Sequence, residues 1–222
     1  EVEIFERNEW VGGKAAILRS DGFRFDMGPT ILTLPSVLRA VFREGGRDLE
    51  SALELEELDP QWRCFFEDGS TFDLESNVVQ TAAAMDEFSG DPHMGSRYRA
   101  FMTESAEMHE LSDQFFFWRP VGTFRDMVDS GLSASIGALS ALECMKIGRT
   151  VAGRVRHYLH DERLAQMADH FTQYVGSSPF LAPAILCGIA HMQTDGGIWY
   201  PRGGIRAVPE ALADLAAELD VT

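Results

Sequence analysis

The sequence predicts an α/β fold that carries an α+β insert, and three observations support this prediction. Residues 2–6 alternate in the manner of a short buried strand, and a loop with a Gly-Gly pair follows them. Residues 62–66 and 71–74 flank an Asp-Gly turn, which predicts a hairpin in a second sheet. The middle of the chain has apolar residues at helical spacing, so helices are expected to cover that sheet.

The first elements after residue 6 are predicted from turn residues and apolar spacing. Ser20-Asp21-Gly22 is typical of a turn, and residues 23–26 follow it as a short strand. Apolar residues recur every three or four positions between residues 32 and 43, and proline is tolerated in the first turn of a helix. A helix is therefore predicted there, ended by Gly45-Gly46.

The later elements are predicted to be mainly helical. A long helix is expected after Asp91-Pro92, and further helical pattern covers about residues 136–172. Gly203-Gly204 precedes an amphipathic segment whose apolar face includes Ile205, Leu212 and Leu215. The chain is thus expected to end in a helix that packs one face on a core.

Composition and charge exclude several classes of protein. The chain has 222 residues, 45% hydrophobic and 24% charged, which is an ordinary globular balance for one large or two modest domains. A net charge of -16 opposes binding to nucleic acid, so no nucleic-acid partner is predicted. Three widely spaced cysteines suit a reducing compartment and predict no metal site. The absence of an initiator methionine predicts a fragment.

The segment from residue 2 to residue 14 is the most informative for function. The strand is expected to end at Glu6, whose carboxylate can accept the hydrogens of both ribose hydroxyl groups of an adenine dinucleotide. Gly12 and Gly13 allow a close backbone approach and positive φ angles. Lys14 adds a positive charge for a diphosphate. This segment therefore predicts a dinucleotide site, although a surface strand with a glycine turn would show the same pattern.

Longer blocks of sequence resemble the bacterial-type phytoene desaturases and related carotenoid desaturases, which are flavoproteins of the amine-oxidase-like superfamily. The blocks are Val2-Glu3-Ile4-Phe5-Glu6-Arg7-Asn8 with Val11-Gly12-Gly13-Lys14, Asp21-Gly22-Phe23-Arg24-Phe25-Asp26-Met27-Gly28-Pro29-Thr30, Tyr174-Val175-Gly176-Ser177-Ser178-Pro179 with Ala182-Pro183-Ala184-Ile185, and Gly197-Ile198-Trp199-Tyr200-Pro201-Arg202-Gly203-Gly204. They occur in the family's order and extend over the whole chain. Many relatives have arginine at the position of Lys14, so the geometry of that contact differs here.

The resemblance implies a Rossmann-type FAD-binding domain that is incomplete, with an inserted substrate domain of a sheet and helices. Residues 1–60 would belong to the FAD-binding domain, residues 61–195 to the substrate domain, and residues 196–222 to the return segment. A glycine-rich turn before residue 1 and a C-terminal segment would be missing. The implied cofactor-binding residues are Glu6, Arg7, Gly12, Gly13, Lys14, Gly28, Pro29 and Thr30.

The resemblance also implies an activity: removal of two hydrogens from a CH-CH unit of an apolar carotenoid precursor, with FAD as the electron acceptor. No catalytic base is assigned, because the sequence gives none with defensible geometry. The lack of a Ser/His/acid triad or metal cluster in the sequence fits chemistry that the flavin carries. One alternative is another carotenoid oxidoreductase, such as a C30 diapophytoene desaturase, a hydroxycarotenoid desaturase or an isomerase. A second alternative is a non-catalytic protein that binds isoprenoids on the same fold.

Weaker features concern the substrate and the membrane. Residues 115–118 form an aromatic run that could line a polyene channel, although core packing is the more ordinary role for each ring individually. A basic cluster interleaved with apolar residues predicts peripheral contact with an anionic bilayer, and thus a cytoplasmic protein on the inner face of the cell membrane. A solvated helix face is the alternative. The cluster comprises Lys146, Arg149, Arg154 and Arg156.

Overall fold

The computed structural model describes residues 2–117, 143 and 145–222, with the backbone alone at residues 115 and 116. Strands in this part of the chain form three two-stranded antiparallel sheets, in which β1 pairs with β2, β3 with β6 and β4 with β5. Their bounds are β1 Ile17–Ser20, β2 Phe23–Asp26, β3 Leu55–Glu57, β4 Trp62–Phe65, β5 Thr71–Leu74 and β6 Trp199–Pro201.

Helices make up most of the remaining described structure. The α-helices are α1 Pro35–Glu44, α2 Val78–Ser89, α3 Met94–Ser112, α4 Val151–Tyr158, α5 Glu162–Asp169, α6 Gly188–Gly196 and α7 Ala207–Glu218. Shorter turns are the 3-10 helices Leu49–Ser51, His170–Val175 and Ala184–Cys187 and the π-helix Asp113–Phe117. Among these helices, none is both long and apolar enough to cross a bilayer.

The chain divides into two units by its internal contacts. Unit 1 consists of Glu1–Asp59 and Gly196–Thr222, and unit 2 consists of Pro60–Asp195. Unit 1 is therefore built from two separate stretches of sequence. Whether the units are a cofactor domain and a substrate domain stays a prediction.

Most elements with a local sequence signal are confirmed. The predicted hairpin is β4 and β5, paired from Trp62 with Leu74 to Phe65 with Thr71. The strand after the turn at residues 20–22 is β2, and the three predicted helices near residues 32, 91 and 205 are α1, α3 and α7. The predicted helical pattern at residues 136–172 is confirmed for α4 and α5, whereas residues 118–142 and 144 lie outside the described part.

The prediction of a buried strand at residues 2–6 is wrong. No strand is assigned there, and the side chains of Ile4 and Phe5 are 65% and 90% exposed. The backbone nevertheless begins a parallel pairing, because the Ile4 N–H donates to the Thr222 carbonyl and the Thr222 N–H donates to the Val2 carbonyl.

Each unit has a hydrophobic core of its own. In unit 1, α1 packs against α7 through Phe42 and Leu215, with Leu49 and Leu53 beneath them. In unit 2, α2 and α3 pack together, and the core continues through residues of β5, α4 and α5. Full burial of each large apolar side chain contributes about 1.5–3 kcal/mol.

A close backbone contact in unit 1 joins two loops that precede and follow the β1–β2 hairpin. A methyl group on Gly28 would lie 2.2 Å from the Lys14 carbonyl oxygen, closer than any real carbon contact. Next to this contact, the Met27 N–H donates to the Ala16 carbonyl oxygen at 2.9 Å. Glycine at position 28 is therefore a condition for the two loops to meet.

We expect Gly28→Ala to lower the free energy of unfolding by about 1–3 kcal/mol, because the backbone of Lys14 must move to admit the methyl group. Denaturant unfolding of the purified protein measures this loss. Gly196→Ala is the matched control, since its methyl group would lie 3.7 Å from Leu34 Cδ2, an ordinary contact. Equal stability of the two variants would contradict the close contact.

A partly buried histidine in unit 2 is expected to make stability depend on pH. The His170 ring stacks on Trp62 with centroids 4.6 Å apart, and its Nδ1 contacts the carbonyl oxygen of Met167. Its Nε2 is buried without a hydrogen-bond partner among the described residues. This burial lowers the pKa of His170, because the charged ring would lose its hydration.

The unfolded chain binds a proton on histidine near pH 6.5, whereas folded His170 binds it only at lower pH. Stability is therefore lost as the pH falls below about 6.5. We expect His170→Phe to reduce the fall in melting temperature between about pH 7.5 and pH 5.5. His160→Phe, which changes an exposed histidine, is the control. An unchanged fall in His170→Phe would argue against a neutral buried ring.

Candidate functional site

A groove in unit 1 brings together residues from three separated segments. Its volume is about 330 Å³, and its wall comes from the loop before β1, from the end of the β1–β2 hairpin and from the residue before α7. The lining residues are Trp10, Gly13, Lys14, Ala16, Ile17, Met27 and Arg206. Volumes of 300–1,000 Å³ are typical of sites for small molecules and parts of cofactors.

The loop that forms one wall has a shape that glycine permits. Gly12 has a φ of +93°, and its Cα packs so closely on Pro209 that a methyl group would lie 2.4 Å from Pro209 Cγ. Gly13 follows at φ +53°. The Trp10 indole N–H donates to the Gly13 carbonyl oxygen at 3.3 Å and folds the indole ring onto the loop. The sequence predicts that the Gly-Gly pair permits a close approach and positive φ angles. In the structure, the close approach is that of Gly12 to Pro209 in the protein's own α7.

The groove is positively charged although the chain as a whole is acidic. The lining residues that the structure describes include two cations, Lys14 and Arg206, and no carboxylate. Arg206 Nε lies 2.8 Å from Glu210 Oε1 across one helical turn. The same Nε is buried and lacks a well-aligned hydrogen bond. An anionic group would be attracted to this groove.

The hairpin block and the return block of the sequence meet beside the groove. The Asp26 side chain is 7% exposed, and its Oδ2 accepts hydrogen bonds from the Tyr200 hydroxyl at 3.3 Å and the Ile205 N–H at 3.4 Å. Asp26 and its Arg24 neighbour form a loose ion pair at 3.7 Å. In addition, Leu32 and Trp199 exchange two backbone hydrogen bonds. The sequence alone gives only the order of these two blocks along the chain. The structure shows that they are neighbours in space.

The predicted site residues differ in their relation to the groove. Gly13 and Lys14 line it, and Gly12 and Gly28 lie in close contact with the groove-forming segments. The other four are exposed and outside the lining, namely Glu6, Arg7, Pro29 and Thr30. Sequence reasoning missed Trp10, Met27 and Arg206. Arg206 comes two residues after Gly204, but that spacing does not reveal which loop the arginine faces.

Glu6 is positioned by its own loop. Its Oε1 accepts hydrogen bonds from the Asn8 backbone N–H at 2.7 Å and the Asn8 side-chain amide at 2.9 Å. These bonds, the backbone one first, lower the pKa of Glu6. The group is therefore a carboxylate at neutral pH, with Oε2 able to accept from hydroxyl groups.

The features predicted in the middle of the chain lie in unit 2. Arg154 binds Glu104 in a fork of 2.9 and 2.6 Å, and Arg156 binds Glu162 and Asp169. Half of the predicted basic cluster is thus neutralised by carboxylates. In the aromatic run, Phe117 is exposed, Trp118 lies outside the described residues, and the side chains of residues 115 and 116 are not described. No group of three or more metal-ligating residues occurs among the described residues.

Comparison with known proteins agrees with the resemblance that the sequence blocks show. A 4,4'-diapolycopene oxygenase from Methylomonas sp is 32% identical over 99% of this chain and 43% of its own length. A 4,4'-diaponeurosporene oxygenase from Staphylococcus aureus (strain USA300) is 33% identical, and a carotenoid 3,4-desaturase from Haloarcula japonica is 30% identical. Both are matched over 100% of this chain and 43% of their own length. The chain therefore spans about two fifths of these relatives.

The family described as "Flavin containing amine oxidoreductase" matches residues 1–222. This match confirms the predicted superfamily, its flavin cofactor and the general class of oxidoreductase. The mixture of helices and strands agrees with the α/β prediction, while the nature of the insert stays a prediction. With the match extending over the whole sequence, the chain belongs to the flavin-containing amine oxidoreductase family.

Proposed function

We propose that the protein uses FAD to remove two hydrogens from a CH-CH unit of an apolar carotenoid precursor, as a phytoene desaturase does. The observation that carries this proposal is the positively charged groove at which the Gly-Gly loop meets the segment before α7. The names of the relatives support a carotenoid as the substrate class. Because the chain spans two fifths of those relatives, activity and substrate are proposals for the whole protein.

The residues present fit part of a dinucleotide. A diphosphate needs cations and a wall without side chains that would keep it away, and the groove offers Lys14, Arg206 and the backbone of Gly13. The Nη groups of Arg206 have no hydrogen-bond acceptor among the described residues and are not buried, so phosphate oxygens could accept from them. The lack of a carboxylate in the lining also avoids repulsion of a dianionic group.

The remaining assignments concern the sugar and the ring system. We propose that Glu6 accepts hydrogen bonds from the ribose hydroxyls, and that Arg7 lies beside it on the same turn. Residues 28–30 would approach the flavin, with Gly28 kept small by the Lys14 carbonyl oxygen. When bound, FAD would supply the two-electron acceptor that the chain's own side chains lack.

The two units would have different functions. Unit 1 would hold the cofactor, through residues 1–60 and the return segment 196–222, and residues 61–195 would form the substrate domain. The apolar core of unit 2 gives that region the stability to carry an apolar site. No side chain is assigned as the base that takes up the proton.

We further propose peripheral contact with the cytoplasmic face of an anionic membrane. Lys146 and Arg149 are the members of the basic cluster without a carboxylate partner among the described residues. Ile147 between them is 70% exposed. The Arg149 carbonyl oxygen accepts from the Ala184 N–H at 2.9 Å, near Leu181, which is 81% exposed. Apolar side chains beside cations favour such a surface.

A second candidate is oxygenation of a carotenoid. Two of the three relatives described above are named as oxygenases. A non-catalytic isoprenoid-binding protein would be the third possibility, and it would need no charged groove.

To test the function, the full-length protein is expressed in cells that accumulate phytoene, and the pigments are analysed by chromatography and mass spectrometry. We expect products lighter by two hydrogens per step, and purified protein with flavin absorbance. Unchanged phytoene with bound flavin would contradict the phytoene assignment. A product with added oxygen would favour the second candidate, and lipid binding without flavin would favour the carrier.

Glu6→Gln is expected to weaken binding of FAD about 10- to 100-fold, because a charge-assisted hydrogen bond to the adenosine ribose is lost. FMN has no adenosine, so its affinity is expected to stay unchanged. Fluorescence titration of the full-length apoprotein measures both. Glu9→Gln is the control, since Glu9 is equally exposed on the same loop. An equal loss for both flavins would assign Glu6 to structure instead.

A further inference from the structure

We propose that Arg206 is a second diphosphate-binding cation, which acts together with Lys14 on the cofactor. This inference rests on the proposed function, because it names the part of FAD that the groove takes. The Gly-Gly motif does not point to this residue. The structure does, since Arg206 lines the same groove as Gly13 and Lys14.

Contacts on both sides of Arg206 fix the position of its backbone. Ile205, the residue before Arg206, donates its N–H to the buried Asp26 carboxylate at 3.4 Å. Three residues after Arg206, Pro209 packs directly on Gly12. The start of α7 is thus tied on one side to the β1–β2 hairpin and on the other to the glycine loop. These two contacts hold the backbone on either side of Arg206 beside the groove.

Arg206 has guanidinium donors that are available to a ligand. Its side chain is 25% exposed, and its ion pair with Glu210 runs through Nε at 2.8 Å. That pair orients the group, yet Nε lacks an aligned hydrogen bond, and no hydrogen bond from either Nη is found among the described residues. Nε is buried and out of reach of a ligand, but both Nη groups are unpartnered among the described residues and are not buried. An oxyanion ligand would satisfy them.

The charge and geometry of the two cations match those of a diphosphate. A diphosphate presents several oxygens over a short distance, and its negative charges lie on the non-bridging oxygens of both phosphates. Arginine binds such oxygens with two parallel N–H donors, whereas lysine acts as a point charge. The groove combines one of each and has no carboxylate among its described lining residues. A neutral sugar or ring would gain little from this pair of cations, so the diphosphate is the part of the cofactor that fits.

The experiment compares FAD with riboflavin, which has the same ring system and no phosphate. We expect Arg206→Gln in the full-length apoprotein to raise the Kd for FAD about 10- to 100-fold and to leave the Kd for riboflavin unchanged. Arg206→Lys should recover part of the loss, because it restores the charge without the fork. Arg202→Gln is the control, since Arg202 is 69% exposed, pairs with Glu54 at 3.1 Å and is absent from the groove lining.

Glu210→Gln separates binding from structure. It removes the ion pair with Arg206 but leaves the guanidinium, so a loss of FAD affinity much smaller than in Arg206→Gln is expected. Wild-type FAD affinity in Arg206→Gln would overturn this inference and leave the proposed function intact. An equal loss for FAD and riboflavin would also overturn it, because it would indicate a damaged fold. Failure of the unaltered protein to bind FAD would overturn the proposed function itself.

Discussion

The contact between Gly28 and the Lys14 carbonyl oxygen is the constraint on which the rest of unit 1 depends. It brings the loop before the β1–β2 hairpin against the loop after it, and a side chain as small as a methyl group would separate them. With the loops together, Met27 and Lys14 line one groove. Asp26, two residues before Gly28, then fixes the return segment through Tyr200 and Ile205. A single close approach of backbone thus orders three stretches of sequence.

The sequence was sufficient for elements that local residues determine. The β4–β5 hairpin follows from alternation around an Asp-Gly turn, and α1 follows from Pro35 at its start and glycine at its end. The pairing of β3 with β6 joins residues that lie far apart in the chain, so no local pattern predicts it. The strand expected at residues 2–6 failed for the same reason, because a strand exists only where a partner extends along it.

The same distinction explains what was predicted of the site. Gly12, Gly13 and Lys14 carry a recognisable pattern because their role depends on spacing within one loop. Arg206 carries none, since its role depends on Pro209 packing against Gly12 and on Asp26 holding Ile205. Net charge is equally uninformative about a single site: a chain of -16 still presents two cations and no carboxylate in the described groove lining. Global charge predicts partners over long range, whereas side chains within a few ångströms decide local binding.

The origin of the groove in two distant stretches of chain has a thermodynamic consequence. Lys14 comes from the stretch before unit 2, and Arg206 comes from the stretch after it. The first stretch supplies six of the seven lining residues, including Lys14, and the second supplies Arg206, so an anion that contacts both cations binds only when the stretches are together. Such a ligand stabilises the assembled unit by mass action. Cofactor binding and the folding of unit 1 are therefore expected to be coupled through the same two side chains.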